Sequence, residues 1–319
     1  MFFYDKGIKI NGSSLWLDAQ RVVQTCCVTH GHMDHARRHD LVIATKKTIR
    51  ILQERVGKMR AIPLEFKQRL HLDGCTVRFF PAGHILGSAQ ILVENHGLRL
   101  LYSGDFNLHN CATAEAIEIP ESDVLIMECT FGRPFYRFPQ RAVVEQQLLD
   151  FVQRAFAQKA VPVVLAYALG KAQSAMKILG DAGFEMSVHT TIARLAKIYE
   201  EFGVDLGRWS GFKKSEIQGK VLVMPRHVAQ TRLLQKIPNR RTVFLTGWAV
   251  NPGTKQRCRV DEALPLSDHA DFDGLLEYAR RVNPKRIYVT HGFSEFAQHL
   301  KRAGFDARPL KTANQLSLF

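Results

Sequence analysis

Short apolar runs separated by polar turns dominate the first 133 residues of the chain. Runs of this length, bounded by turn residues, are typical of buried strands. One run covers residues 22–28 and leads directly into a polar segment, and two others stop at Asp105 and at Glu128. The pattern predicts a sheet-rich half of the protein with polar residues at the ends of its strands.

The middle of the chain alternates between helical and strand-like patterns. Residues 143–157 carry apolar side chains at helical spacing, residues 161–167 form a continuous apolar run, and residues 171–179 are helical again. The alternation continues through residues 185–189, 192–202, 220–224 and 242–246. We expect a small α/β lobe in this part of the chain.

Length and composition fit a globular protein with two lobes. The chain has 319 residues, 46% of them hydrophobic, which exceeds one average domain and provides a substantial core. A charge appears by Asp5, and no uncharged run approaches the roughly 18 to 20 residues of a membrane span. The six cysteines form no Cys-x-x-Cys pair, which predicts reduced core residues. We therefore expect a cytoplasmic protein that does not interact with membranes.

Positive charge is concentrated in the middle lobe. Between Pro134 and Asp261 the chain carries 20 Lys and Arg against 9 Asp and Glu, a net charge of +11 out of +14 in total. Such a basic lobe attracts the phosphate backbone of nucleic acids. A solubilising surface with dispersed lysines is the alternative.

The densest group of metal-binding side chains lies in residues 29–35, Thr-His-Gly-His-Met-Asp-His. Three imidazoles and one carboxylate fall within six positions on the loop predicted after residues 22–28. Imidazole and carboxylate suit zinc, with manganese or iron as alternatives, and their interleaving favours two ions over one. A solvated loop, or a histidine that caps a helix, is the alternative. Against it stand further ligands that follow other apolar runs: His84, Asp105 and His291.

The order of these motifs resembles the metallo-β-lactamase superfamily over nearly the whole chain. The motifs are His-x-His-x-Asp-His, Gly-His, Ser-Gly-Asp and Thr-His-Gly. The resemblance implies an α/β fold, the αββα sandwich, built discontinuously from residues 1–133 and 262–319. It also implies a ligand set: His30, His32 and His84 for the first metal, Asp34, His35 and His291 for the second, and Asp105 as a bridge. Asp34 and Asp105 would also be catalytic, because the ions lower the pKa of bound water to about 7.

Two further motifs resemble those of the β-CASP branch of nucleases. They are Leu-Ile-Met-Glu-Cys-Thr-Phe-Gly around Glu128 and Leu-Ser-Asp-His-Ala-Asp around His269. The likeness implies that residues 134–261 form an inserted β-CASP cap. It further implies that His269 contacts the scissile phosphate and protonates the leaving oxygen, and that Glu128 orients His269. A general acid matters because an alkoxide leaves poorly from phosphorus. The alternative is an isolated carboxylate, with Ser267 capping a helix beside an incidental histidine.

Four residues are candidates for contacts with nucleic acid: Gly170, Lys171, Trp248 and Ser267. Gly170 and Lys171 lie between a predicted strand and a predicted helix, where backbone N–H groups bind anions. Trp248 lies near guanidinium groups and suits stacking on a base, although a place in the core suits it equally.

Within the β-CASP branch the chain most resembles the bacterial ligase-associated DNA exonucleases. The segments Ala-Leu-Gly-Lys-Ala-Gln, Thr-Gly-Trp-Ala, Ser-Asp-His-Ala-Asp and Thr-His-Gly-Phe carry the likeness. It implies a phosphodiesterase with two divalent ions, Zn or Mn, that acts in DNA repair as an exonuclease on single-stranded DNA. It also implies a functional link to an ATP-dependent DNA ligase and a helicase.

Other functions stay open at this stage. In the wider β-CASP family a histidine at the position of His291 accompanies RNA substrates, which favours an RNA-processing ribonuclease. A small-molecule metallo-hydrolase shares the metal motifs but needs neither the basic lobe nor Glu128 and His269. A binding protein with a degenerate site is disfavoured because no expected ligand is missing.

Overall fold

The computed structural model describes residues 1–311. The chain divides into two compact units, which are interleaved along the sequence. Unit 1 comprises Met1–Asn110, Ala114–Tyr136 and the described residues from His269 onward. Unit 2 comprises Cys111–Thr113 and Arg137–Asp268. No helix of the described chain is both long enough and apolar enough to cross a membrane.

Strands predominate before Arg141, and strands and helices alternate over most of the later described residues. The strands are β1 (Phe2–Tyr4), β2 (Ile8–Ile10), β3 (Leu15–Leu17), β4 (Thr25–Cys27), β5 (Leu41–Ala44), β6 (Ala61–Pro63), β7 (Leu70–Leu72), β8 (Cys75–Pro81), β9 (Ala89–Asn95), β10 (Leu98–Tyr102), β11 (Val124–Cys129), β12 (Val161–Ala166), β13 (Met186–Val188), β14 (Trp209–Gly211), β15 (Val221–Pro225), β16 (Arg240–Leu245), β17 (Glu262–Leu264), β18 (Arg286–Gly292) and β19 (Ala307–Pro309). The α-helices are α1 (Lys46–Val56), α2 (Arg141–Ala157), α3 (Lys171–Asp181), α4 (Thr190–Glu201), α5 (Arg232–Gln235), α6 (Thr254–Cys258), α7 (Phe272–Val282) and α8 (Phe296–Arg302). Short 3-10 helices cover Lys214–Glu216, Arg226–Val228 and Gly247–Val250.

Two β-sheets form the centre of unit 1. The first has the strand order β1-β2-β3-β4-β5-β6, and the second has the order β19-β18-β11-β10-β9-β8-β7. Because successive side chains of a strand point to opposite faces, neighbouring residues of β10 belong to different layers. Leu100 lies in a buried cluster with Ile43 of the first sheet, whereas Leu101 lies in a cluster with Leu275 of α7. Both faces of the second sheet are therefore buried.

Helices cover the outer faces of both sheets. Ile49 and Leu52 of α1 share a buried cluster with Val42 of the first sheet. On the second sheet, α7 and α8 supply the covering side chains, and Asp271 begins α7 by accepting a hydrogen bond from Gly274 N. The resulting layer order of helix, sheet, sheet and helix confirms the predicted αββα sandwich.

Unit 2 contains an all-parallel sheet of six strands in the order β14-β13-β15-β12-β16-β17. Its central strands β12 and β15 are continuous apolar runs, as expected for strands buried on both faces. The helical pattern of residues 143–157 and 171–179 corresponds to α2 and α3. The predicted small α/β lobe is therefore confirmed.

The borders of the units differ from those predicted at residues 134 and 261. Unit 2 continues to Asp268 because β17 pairs with β16, placing Ala263 opposite Phe244. It also takes in Cys111–Thr113, where the Thr113 hydroxyl lies 3.1 Å from Ser174 Oγ of α3. A three-residue strand such as β17 is too short to show a periodic pattern, so the sequence gives no sign of it.

Candidate metal centre

The predicted ligands of unit 1 lie at the carboxyl ends of its strands. Strands β8, β10, β11 and β18 run in one direction through the second sheet, so residues at or after their ends share one edge. β4 of the first sheet leads into the loop with four more candidates. The candidates placed in this way are His30, His32, Asp34, His35, His84, Asp105, Glu128 and His291.

A compact cluster of four side chains contains the ligands predicted for the first metal. His32 Nδ1 lies 3.0 Å from His84 Nε2 and 3.1 Å from His30 Nε2. Asp105 Oδ2 lies 3.5 Å from His30 Nε2 and 3.7 Å from His84 Nε2. One ligand atom from each residue falls within 4.8 Å of all the others. The structure thus brings together residues more than 50 positions apart in the sequence.

The donor set fits a divalent metal ion. Tetrahedral ligands at 2.0 to 2.1 Å from zinc are separated by roughly 3.3 Å, close to the distances between the three imidazole nitrogens. Burial, and secondarily the charge of His35, hold the pKa of His30 well below its usual range, so this imidazole is neutral as a ligand must be. The cluster therefore has the chemistry and spacing of a metal site.

A second group adjoins the first at Asp105. His35 Nε2 lies 3.2 Å from Asp105 Oδ1, and both atoms are buried without a hydrogen bond of normal geometry to any described residue. The His35 ring stacks on His291 with centroids 4.4 Å apart. Asp34 is more distant: its side chain is 73% exposed and its Oδ2 lies 4.0 Å from His35 Nε2. The ligands predicted for a second metal are thus close together, with Asp34 at the solvent side.

His35 and Asp105 stabilise each other's charged forms. Burial alone would lower the pKa of His35, but the Asp105 carboxylate, helped by Asp18, raises it well above its usual value. Burial would likewise raise the pKa of Asp105, but the surrounding imidazoles, His35 foremost, lower it well below its usual value. A metal cation would supply the same positive charge beside this carboxylate.

Asp18 contacts His35 at the ring nitrogen that faces away from Asp105, and the sequence analysis did not predict this residue. Its Oδ2 lies 2.7 Å from His35 Nδ1 and accepts a hydrogen bond from the Thr29 hydroxyl at 2.6 Å. Its Oδ1 accepts from Thr29 N at 2.8 Å. A carboxylate on the far nitrogen of a ligating histidine fixes its tautomer and ring orientation, here leaving Nε2 toward Asp105. The available signal was that Asp18 directly follows the apolar run of β3, as other candidates follow theirs.

Glu128 and His269 form a hydrogen-bonded pair beside the metal ligands. His269 Nδ1 lies 3.0 Å from each carboxylate oxygen of Glu128, and its Nε2 lies 4.0 Å from Asp105 Oδ2. Glu128 is 1% exposed and accepts hydrogen bonds from Phe106 N and from the Thr130 hydroxyl. A fully bonded carboxylate thus sets the position of an imidazole whose side chain is 22% exposed.

The residue after His291 must be a glycine. His291 has a φ of 49° and Gly292 a φ of 158°. A Cβ atom on residue 292 would lie 2.0 Å from the backbone oxygen of Cys129. The Thr-His-Gly motif therefore has a steric reason, because only glycine permits this approach of β18 to β11.

The residues predicted to contact nucleic acid lie in unit 2. Gly170 N already donates to Gln173 Oε1 at 2.8 Å, and Lys171 Nζ lies 3.0 Å from Asp268 Oδ2 with its side chain 5% exposed. Both groups therefore already bond inside the unit, and the phosphate site at Gly170 and Lys171 stays a prediction. Trp248 is half-buried in a 3-10 turn, and Ser267 is buried, so neither position presents a fully exposed side chain.

Comparisons with known proteins find similarity to metallo-hydrolase and nuclease sequences. Residues 255–309 match the family described as RMMBL, the Zn-dependent metallo-hydrolase RNA specificity domain. Over 99% of its length the chain is 36% identical to a protein named Probable DNA ligase from Opitutus terrae, of which it spans 31%. It is 21% identical to a protein named Probable RNase MJ4 from Methanocaldococcus jannaschii, over 93% of the chain and 89% of that protein.

A solved structure shares the fold. It is a protein of unknown function from Enterococcus faecalis V583, which is 16% identical and has a TM-score of 0.56. The alignment covers 84% of this chain and 75% of that chain. This likeness concerns the fold alone.

Proposed function

Because this chain belongs to the β-CASP nuclease branch of the metallo-β-lactamase superfamily, we propose that it hydrolyses phosphodiester bonds of single-stranded DNA. The observation that carries the proposal is the Glu128–His269 pair beside the His30, His84 and Asp105 cluster. A protonating group matters for a nucleotide leaving group, whereas hydrolysis of a small ester with a stable leaving group does not need it.

Metal ions and side chains of the site would have separate roles in hydrolysis. Two divalent ions, Zn or Mn, held by the seven predicted ligands would polarise the phosphate and lower the pKa of water. Glu128 holds His269 through Nδ1, which leaves Nε2 on the side of Asp105. A proton at Nε2 passes to the leaving oxygen as a hydroxide ion forms a new bond to phosphorus and the bond to the leaving oxygen breaks. Asp18 keeps His35 in the orientation needed of a ligand.

Similarity to a DNA ligase supports DNA as the substrate. The chain aligns over 99% of its length with about a third of a polypeptide named Probable DNA ligase. A nuclease joined to a ligase would prepare DNA ends for sealing, and we accordingly propose an exonuclease role in cytoplasmic DNA repair, linked to a ligase and a helicase. RNA is the second candidate, favoured by the RNA specificity domain at residues 255–309 and by the RNase relative.

A paired cleavage assay tests the proposal. Metal-loaded protein would be incubated with end-labelled single-stranded DNA and with RNA of the same sequence, and the products resolved by length. We expect faster cleavage of DNA, one nucleotide at a time from an end. Faster cleavage of RNA would replace DNA by the second candidate, and no cleavage of either strand would refute the nuclease function.

His269→Ala separates the nuclease mechanism from a generic hydrolase mechanism. Strand cleavage should fall by about 10²- to 10⁴-fold with metal content unchanged, because a general acid contributes that much. A nitrophenyl phosphodiester, whose leaving group is already stable, should be affected far less. His109→Ala, at an exposed histidine outside the cluster, is the matched control and should keep full activity. Equal loss on both substrates, or loss of metal, would make His269 a ligand or packing residue.

A further inference from the structure

The carboxyl edge of the parallel sheet in unit 2 carries basic and aromatic side chains. The first three residues after each of β12 to β16 include no Asp or Glu. They occupy positions 167–169, 189–191, 212–214, 226–228 and 246–248. Because all six strands are parallel, these positions lie along one edge of the sheet. Because these positions hold no acidic residue, this part of the edge is suited to a polyanion.

The centre of this edge is the point where the strand order reverses. In the order β14-β13-β15-β12-β16-β17 the chain leaves β12 toward β13 on one side and leaves β15 toward β16 on the other. Open parallel sheets bind ligands outside the carboxyl ends of the strands at such a switch point. The residues that immediately follow β12 and β15 are Tyr167 and Arg226.

Tyr167 and Arg226 follow neighbouring strands, since Ala166 pairs with Pro225, and both contact the buried Phe244. The Tyr167 ring lies 6.0 Å from the Phe244 ring, and Arg226 Cζ lies 5.3 Å from the same ring. Phe244 is 2% exposed, whereas Tyr167 is 47% exposed and Arg226 is exposed. Arg226 Nη2 also lies 3.5 Å from Cys258 Sγ, at a cavity of about 230 Å³. Both side chains thus lie against the Phe244 ring and are open to solvent.

We propose that Tyr167 and Arg226 bind one nucleotide of a single strand, with the base stacked on Tyr167 and the phosphate on Arg226. An exposed ring can stack only on a base that is not stacked and paired in a duplex, so the ligand is single-stranded. The proposal rests on the proposed function and adds contact residues to it. Tyr167 and Arg226 add to the predicted contacts Gly170 and Lys171, whose polar groups bond inside the unit.

Arginines at the amino edge of the same sheet have carboxylate partners. There Arg208 lies 3.5 Å from Glu185, and Arg241 lies 3.8 Å from Asp261. Each of these arginines has a carboxylate as its neighbour, whereas Arg226 packs on an aromatic ring. Arg208 is 75% exposed and therefore provides a matched control at the opposite edge.

Binding of a phosphorothioate-linked single strand, which resists hydrolysis, tests the site in the metal-loaded protein. Fluorescence anisotropy would give the Kd. Tyr167→Ala should raise it by roughly 5- to 150-fold, the range that loss of one stacked base produces. Tyr167→Phe keeps the ring and should bind like the wild type. A strand with abasic residues has no base to stack, so Tyr167→Ala and the wild type should bind it equally.

The salt dependence of strand binding by Arg226→Ala tests the phosphate contact. It should raise Kd and reduce the slope of log Kd against log salt by about 0.7, the value for one phosphate of a single strand. Arg208→Ala should leave both quantities unchanged. Unchanged binding in Tyr167→Ala and an unchanged slope in Arg226→Ala would overturn the site, as would a wild-type protein that does not bind the strand.

The two proposals fail separately. A wild-type protein that binds through Tyr167 and Arg226 but cleaves no strand would refute the nuclease function and leave this site intact. Cleavage by the wild type, together with unaltered binding in both variants, would refute the site and leave the nuclease function intact.

Discussion

Replacing Lys171 by Met should destabilise unit 2 strongly. Lys171 Nζ and Asp268 Oδ2 lie 3.0 Å apart, and each side chain is only 5% exposed. Removing one partner of a buried pair leaves an uncompensated charge and typically lowers the free energy of unfolding by about 3 to 5 kcal/mol. The positive charge of Arg141 also acts on Asp268, so we expect a loss near the lower end, about 3 kcal/mol.

A double-mutant cycle isolates the pair. Lys171→Met would be combined with Asp268→Asn, which removes both charges, and stability would be measured by urea unfolding followed by circular dichroism and fluorescence. The double variant should recover most of the loss, because no unpaired charge stays buried. Lys177→Met is the control on the same helix: its partner Asp181 is 59% exposed, so the change should be at most about 0.5 kcal/mol.

The pair also has a pH signature. Burial lowers the pKa of Lys171 from 10.5, against the opposing effect of Asp268. Between the lowered pKa and 10.5 the unfolded chain therefore binds more protons than the folded chain, so this group's contribution to the unfolding free energy rises with pH in that window. The wild type should show this alkaline rise and Lys171→Met should lack it.

One outcome would refute this reasoning. If Lys171→Met lost less than about 1 kcal/mol, and instead weakened strand binding with a lower salt slope, Lys171 would be the phosphate contact that the sequence suggested. An unchanged salt slope with lost stability would establish the ion pair.

Three further predictions concern the metal centre and the thiols. Elemental analysis should give close to two metal equivalents in the wild type and fewer in Asp105→Asn. A wild-type protein with zero or one equivalent under metal-replete conditions would contradict a binuclear site. Asp18→Asn should weaken metal binding by roughly 10- to 100-fold in chelator competition, because His35 loses its orienting carboxylate, and an unchanged affinity would remove Asp18 from the centre. Iodoacetamide should label Cys258 first, since it is the one partly exposed thiol of the described chain and burial raises the pKa of Cys27. Mass spectrometry would identify the labelled residue. Earlier labelling of Cys27 would show that unit 1 opens.

Local pattern was enough to predict the main elements and to select candidate ligands. Each candidate ligand follows an apolar run, and both the run and the polar residues after it can be recognised within about ten positions of sequence. Helix α2 and strand β12 could be predicted for the same reason, because periodicity and run length reflect which faces of an element are buried. The layered fold followed from the resemblance of motifs, which the sandwich of unit 1 confirms.

Only the tertiary structure decided which side chains meet. His84 lies 52 positions from His32, and no local pattern encodes their 3.0 Å separation. Asp18 carries the same signal as the predicted ligands, but its bond to His35 depends on how β3 and β4 pair in the sheet. Lys171 shows the reverse case: its sequence context indicates an anion site, whereas packing against Asp268 buries its charge. Sequence patterns record the burial of single elements, but partners are chosen by long-range packing, which places residues distant in the chain within bonding distance.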